Sequence, residues 1–314
     1  MSTANLSTSE FQDLYQRLKR TSRWGEADRR GALNNISEAD VVAAASDVWR
    51  GRAVSLGAPV ESYVSPDNPE PCLHKMTSVP ASPVQPDGSS APRLSFAMDR
   101  FAMNIHGNAD SHIDALSHVR LDDQLYNGIP AQAVTSTGAA ELSIDVAGNG
   151  IVGRGLLLDI PRVQGVRWLE PGDNVTADDL TAAETAQDVH IGQGDLLFVR
   201  VGHRHRRNEL GAWDVARARA GLYPTALELL AERRIAALGS DSNNDTAPSA
   251  VEGVGFPVHV LAINALGLHL LDYLHLEELL ALCEHLRRWS FLCVIAPLRL
   301  PWGTGSPVNP IAIF

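Results

Sequence analysis

The chain predicts an α/β fold. Over its second half, short apolar runs read as buried strands and alternate with stretches that carry helix-start signals. No break in composition divides the pattern. It therefore reads as one domain over residues 1–314, with residues 1 to about 50 as a helical N-terminal extension.

The elements follow in order. Ser7-x-x-Glu10 is a capping box that starts a helix to about Arg20, with Phe11, Leu14, Tyr15 and Leu18 on one face. Ser37-x-x-Asp40 caps a second helix through Trp49. Ala53 to Val60 reads as a strand. Residues Ser65 to Pro92 are rich in Pro, Ser, Asp and Gly and predict a long surface excursion, mobile or a lid, with His74 exposed on it. Leu94 to Ile105 has strand-like apolar positions. Tyr126-Asn-Gly-Ile-Pro130 is a turn placed to line a pocket. Gly155 to Ile160, Leu196 to Val201 and Ile235 to Leu238 are apolar runs of strand length. Thr176-x-x-Asp179 caps a helix to about Gln187, and Pro224 suits the first turn of a helix to Arg234. A last helix spans Leu276 to Arg288, and a last strand Phe291 to Pro297.

Composition excludes several functions. The net charge of −11 argues against a nucleic-acid surface, which needs clustered Lys and Arg. The one basic run, His203-Arg-His-Arg-Arg207, reads as a solvated loop. The three cysteines, Cys72, Cys283 and Cys293, form no Cys-x-x-Cys pair and fit a reducing compartment; Cys283 and Cys293 read as small core residues. With no signal peptide and no 18-residue apolar run, the expectation is a cytoplasmic protein without a membrane partner. No Gly-x-Gly-x-x-Gly or phosphate loop follows a strand, and no Gly-x-Ser-x-Gly elbow is present.

Chemistry concentrates between His106 and His118. This stretch holds three of the eleven histidines and two aspartates. In an extended segment, residues two apart point to one side, so His112 and Asp114 can aim an imidazole and a carboxylate at one point. A turn starting near Ala115 would hang His118 beside that point without making it a ligand. Mixed nitrogen and oxygen ligands suit zinc, manganese or iron(II). A nearby unligated histidine suits general-base work on water. A lone His–Asp pair in a loop is usually a surface hydrogen bond; five such groups this close favour function.

Ser111-His-Ile-Asp-Ala-Leu-Ser-His118 resembles the signature His-x-Gly-Thr-His-x-Asp-x-Pro-x-x-His of the cyclase family of metal-dependent hydrolases. That family includes bacterial kynurenine formamidase, isatin hydrolase and proteins regarded as polyketide cyclases. The resemblance implies metal ligands at His112 and Asp114 and a catalytic histidine at His118. It departs at Asn108, where the family has its first histidine, and at Ala109-Asp110, where the family has Gly-Thr. The implied site is rebuilt with His106 or Asp110, weakened, or lost. Asn108 and Asp110 are then candidate substrate-binding or supporting groups.

Other segments extend the resemblance from about residue 20 to the end. Trp24-Gly25 and Gly31-Ala-Leu-Asn34 resemble the family's opening, and Trp24 itself reads as a buried structural residue. Gly239-Ser-Asp241 resembles a Gly-x-Asp, with Asp241 orienting a site residue or capping a turn. His259, an apolar stretch and Gly267-Leu-His-Leu-Leu-Asp272 resemble a histidine and a Gly-φ-x-φ-x-Glu whose ends approach the metal. Asp272 is one methylene shorter than that Glu, which counts against a second ion. His269 and His275 read as satisfied structural histidines, and His190 and His285 as surface ones. Ala296 to Pro310 resembles the family's ending and has strong turn chemistry.

The resemblance implies a mixed sheet curled against helices, barrel-like and of the swivelling β/β/α type, in homodimers or homotetramers that share pocket residues. It implies a small-molecule substrate and one divalent ion, manganese or zinc. Three functions remain open. The first is metal-dependent hydrolysis of an aryl formamide or a cyclic amide or imide. The second is a cyclase or dehydratase acting on a polyketide-like compound through His118 and Asp114. The third is a binding protein without metal.

Overall fold

A computed structural model describes residues 4–21, 24–79 and 96–314. A nine-stranded mixed sheet forms its centre. From one edge the strands are Ala53–Ser55, Ile311–Ile313, Ser290–Ile295, Ile151–Asp159, Leu196–Arg200, Ala237–Ser240, His269–Asp272, His112–Asp114 and Gly305–Pro307. The four strands from Ile151–Asp159 to His269–Asp272 run parallel, and all other pairings are antiparallel. The sheet curls and helices flank it, as the resemblance implies.

The central strands read as continuous apolar runs because both their faces are covered. Leu156, Leu158, Leu197, Val199, Leu238 and Leu270 join one core cluster, with Leu14, Leu180, Leu227 and Ile263 from helices. Their neighbours Leu157, Leu196, Phe198, Ala237 and Leu271 join a second cluster, with Leu279, Leu282 and Phe291. Each fully buried leucine contributes roughly 1.5–3 kcal/mol. Cys283 and Cys293 lie inside the second cluster.

Helix starts fall where side-chain caps dictate. Ser7, Ser37 and Thr176 each close a capping box, opening the helices Thr8–Lys19, Glu38–Ser46 and Ala177–Gln187. Helix ends and strand lengths depart from expectation. The second helix stops at Ser46, and the strand after it spans only Ala53–Ser55, because pairing with Ile311–Ile313 ends there. The 155–160 strand starts earlier, at Ile151, where Ser290–Ile295 pairs with it. The third apolar run forms its strand later, over Ala237–Ser240.

The basic run 203–207 is not a solvated loop. It opens the helix His203–Leu210, with His203 and Arg204 buried. Of the expected excursion, residues 80–92 lie outside the described residues, as do Ser22, Arg23 and Leu94. Its described part includes Leu73–Ser78, which pairs antiparallel with Met98–Ala102; His74 is exposed there and meets Asp99 at 2.8 Å. Among the described residues no helix is long and apolar enough to cross a membrane.

Candidate metal centre

The site forms where the His112–Asp114 strand lies against the end of His269–Asp272. Asp272 is the register partner of His112, so both side chains leave the sheet on one side. Asp114, two residues on, shares that side, while Ile113 enters the opposite core. Gly305–Pro307 pairs along the other edge of this short strand and fixes it from both flanks.

Five expected residues converge there. His106, His112 and Asp114 bring one ligand atom each within 4.8 Å of one another, and Asp114, His259 and Asp272 do the same. Asp114 belongs to both groups. Its Oδ1 meets His106 Nδ1 at 2.8 Å. Its Oδ2 lies 3.4 Å from His259 Nε2 but lacks a well-aligned hydrogen bond, although it is fully buried.

The imidazoles are oriented by what holds their other nitrogen. His112 Nδ1 donates to the carbonyl oxygen of Asp110 at 2.9 Å. A carbonyl only accepts, so that nitrogen carries a proton, and Nε2 is the nitrogen that faces Asp114 and Asp272, at 3.8 and 4.0 Å. His259 is held the same way by Asp245, with Nδ1 2.6 Å from Oδ2. Its Nε2 then points to Asp272 Oδ2 at 3.3 Å. Asp245 also accepts the backbone N–H groups of Val258 and His259, which open a short helical turn that continues as a π-helix over Val260–Ala265. Such wide turns recur at functional sites. Asn243 and Asn244 donate their side-chain amides to Asp272 at 2.5 and 2.6 Å.

His118 stands beside this cluster. Its ring stacks on His106 with centroids 3.7 Å apart and 7° between planes, and lies 6.4 Å from the His259 ring. Burial pushes its pKa down to about 4, against the pull of Asp114. At Asp114, burial works upward, but the charge of His118, the hydrogen bond from His106 and the nearby His259 outweigh it. They hold the carboxyl well below its usual range. His259 moves well above its usual value: burial opposes this, and Asp272, Asp114 and Asp245 overcome it.

Charge is the test of whether an ion fits. Asp114, Asp245 and Asp272 are all buried. Among the described residues, no Lys or Arg forms an ion pair with any of them. Buried carboxylates need a cation or a full set of donors. A small divalent ion facing two imidazoles and the unaligned Asp114 oxygen meets that need with a nitrogen and oxygen donor set.

The remaining candidates lie elsewhere. Asn108 does not join the cluster; its Oδ1 accepts from the Tyr273 hydroxyl at 3.3 Å, and the imidazole next to Asp114 comes from His106 instead. The chain bends between Ile105 and Ser111, and Thr304 Oγ1 meets His106 Nε2 at 3.1 Å. The Asp110 carboxylate accepts from the Glu61 N–H at 3.1 Å, and the residue's hydrogen bond to the cluster is made by its carbonyl. Asp241 accepts the Val201 N–H at 2.7 Å, and burial raises its pKa to about 6. It shapes the turn leading into the helix His203–Leu210. Tyr126 is buried and donates to Asp28 at 3.0 Å. His269 is buried as expected but not satisfied: among the described residues, both ring nitrogens lack partners.

Sequence reasoning passed over Asp245, Asn243 and Asn244. The available signal was six consecutive polar residues, 240–245, directly after an apolar strand. All six are buried.

The sequence model of the family described as "Putative cyclase" matches residues 29–244, more than half of the chain. No match is found among curated proteins. A crystal structure described as a novel cyclase superposes with a TM-score of 0.84 at 31% identity, covering 96% of this chain and 99% of that one. Isatin hydrolase A from Ralstonia solanacearum gives 0.57 at 21%, covering 88% and 97%. An isatin hydrolase bound to the product analogue thioisatinate gives 0.55 at 19%, covering 89% and 99%. The last two likenesses concern the fold.

Proposed function

This chain belongs to the cyclase family, and we propose that it hydrolyses an amide-like carbon–nitrogen bond with the help of a divalent metal ion. An aryl formamide or a cyclic amide or imide is the substrate class. The reading is carried by one observation: two imidazole–carboxylate groups share Asp114, whose Oδ2 is buried without an aligned donor. The solved isatin hydrolases, which have the same fold, support the amide chemistry by analogy.

His106, His112 and Asp114 would hold the ion, with His259 and Asp272 on its other side. Bound there, manganese or zinc lowers the pKa of water and polarises a carbonyl oxygen. His118 does the proton work. With its pKa depressed to about 4 it is neutral near pH 7 and able to accept a proton from the attacking water. The Asp114 carboxylate stabilises the imidazolium so formed. His118 then returns the proton to the leaving nitrogen. Asp245 and the Asp110 carbonyl hold Nδ1 of His259 and His112, so that Nε2 of each ring faces inward.

The test is hydrolysis of a panel of aryl formamides and cyclic imides before and after chelation. Turnover should vanish with the chelator and return with added manganese or zinc. Full activity in a metal-free His112→Ala protein would contradict the reading. A second reading, ring closure of a polyketide-like compound through His118 and Asp114, is favoured by the 31% identical structure described as a cyclase. Product mass separates the two, since ring closure adds no water.

A further inference from the structure

The helix His203–Leu210 carries Arg204 and Arg207 three positions apart, on one face. Arg207 pairs with the carboxylates of Glu61 and Asp67, the usual fate of a part-buried guanidinium. Arg204 is different. It is 4% exposed, and among the described residues it makes no ion pair. Its Nη2 donates to two backbone carbonyls, those of Ala109 and, at 2.7 Å, Tyr273. Its Nε reaches the Leu274 carbonyl at 3.5 Å. The carboxylates of Glu61, Asp67 and Asp241 act on it only at longer range.

A buried cation without a carboxylate partner is costly, so its position calls for a reason. The two carbonyls belong to the two segments that carry the candidate ligands. Ala109 precedes Asp110, whose carbonyl takes the His112 proton. Tyr273 directly follows Asp272. In the sheet, Asp272 faces His112, and the ladder ends at that pair. One residue beyond it, Ser111 Oγ donates to the same Tyr273 carbonyl at 2.7 Å.

We propose that Arg204 is a positioning residue that clasps Ala109 to Tyr273, so that His112 and Asp272 face one ion at binding distance. Arg204 thereby sets ion affinity without touching the ion or the substrate. The assignment rests on the metal-site reading above.

Titration calorimetry of chelator-stripped protein with Mn2+ or Zn2+ tests it, alongside unfolding curves of each ion-free protein. Arg204→Met should weaken binding roughly 10–100-fold, the range for groups that orient ligands. Arg204→Lys should recover part of the loss, because an ammonium can also donate to both carbonyls but lacks the second nitrogen that reaches the Leu274 carbonyl. A purely structural arginine would lower the unfolding midpoint and leave the Kd of the folded protein unchanged; an unchanged Kd overturns the proposal. Should Arg204→Met fail to fold, Arg204→Lys decides by the same criterion. Failure of both to fold assigns Arg204 to the fold and also overturns it. Native protein that binds neither ion defeats the metal site itself, an outcome distinct from equal binding by native and variant.

Discussion

His118 decides whether the cluster can move a proton. Its ring lies flat on His106 and near Asp114, and burial keeps it neutral far below pH 7. His118→Gln removes the base while leaving the candidate ligands in place. Steady-state kinetics should show kcat reduced 10²–10⁴-fold, roughly the usual value of a positioned acid–base group, with ion binding little changed. A variant with native kcat would remove His118 from the chemistry. His112, Asp114 and His118 were legible in the sequence because their convergence depends on local periodicity alone. Asp245 was not: its bond to His259 joins a loop to a helix fourteen residues away, and no local pattern encodes it. The exchange of Asn108 for His106 was one of the alternatives the sequence left open, and choosing it depends on a bend whose shape Thr304 helps to fix, 198 residues on.

Between elements, the segment that opens the described resemblance touches the one that carries Asp272. Gly31 and Gly267 both have positive φ, and the Ala32 N–H donates to the Gly267 carbonyl at 2.8 Å. A Cβ on Gly267 would lie 2.6 Å from the Tyr126 ring. Gly267→Ala should therefore destabilise the protein by about 2–4 kcal/mol, from backbone strain and overpacking together. Denaturant unfolding measures this; a loss under about 0.5 kcal/mol, the usual scatter of harmless surface changes, would mean the contact relaxes freely. Helix starts were legible because capping is local, and the buried strands because two covered faces leave a continuous apolar run. Strand lengths were not, since pairing partners set them. The 203–207 run was misread for the same reason: the carbonyls that hold Arg204 lie 95 and 69 residues away.

Across the whole molecule, buried histidines set the response to acid. Burial lowers His118, His203 and His269 to about 4, 3 and 4, against about 6.5 in an unfolded chain. Below 6.5 the unfolded chain takes protons that the folded one refuses. Stability therefore falls as pH drops towards these folded values, at ~1.4 kcal/mol per unit for each group. His259 acts with opposite sign. Its contribution is complete below 6.5 and fades as pH rises through its elevated folded value. His269, with neither ring nitrogen partnered among the described residues, isolates the first effect. His269→Leu should remove about 2 kcal/mol of the stability lost between about pH 7 and about pH 4.5, read from urea unfolding at both. An unchanged pH slope would show that His269 titrates normally. The central claim concerns the cation that these carboxylates face, and elemental analysis of reconstituted, dialysed protein tests it most directly. Native protein should retain about one manganese or zinc ion per chain, and Asp114→Asn should retain none. Native protein that keeps no divalent ion, or an Asp114→Asn variant that keeps as much as the native, would contradict it.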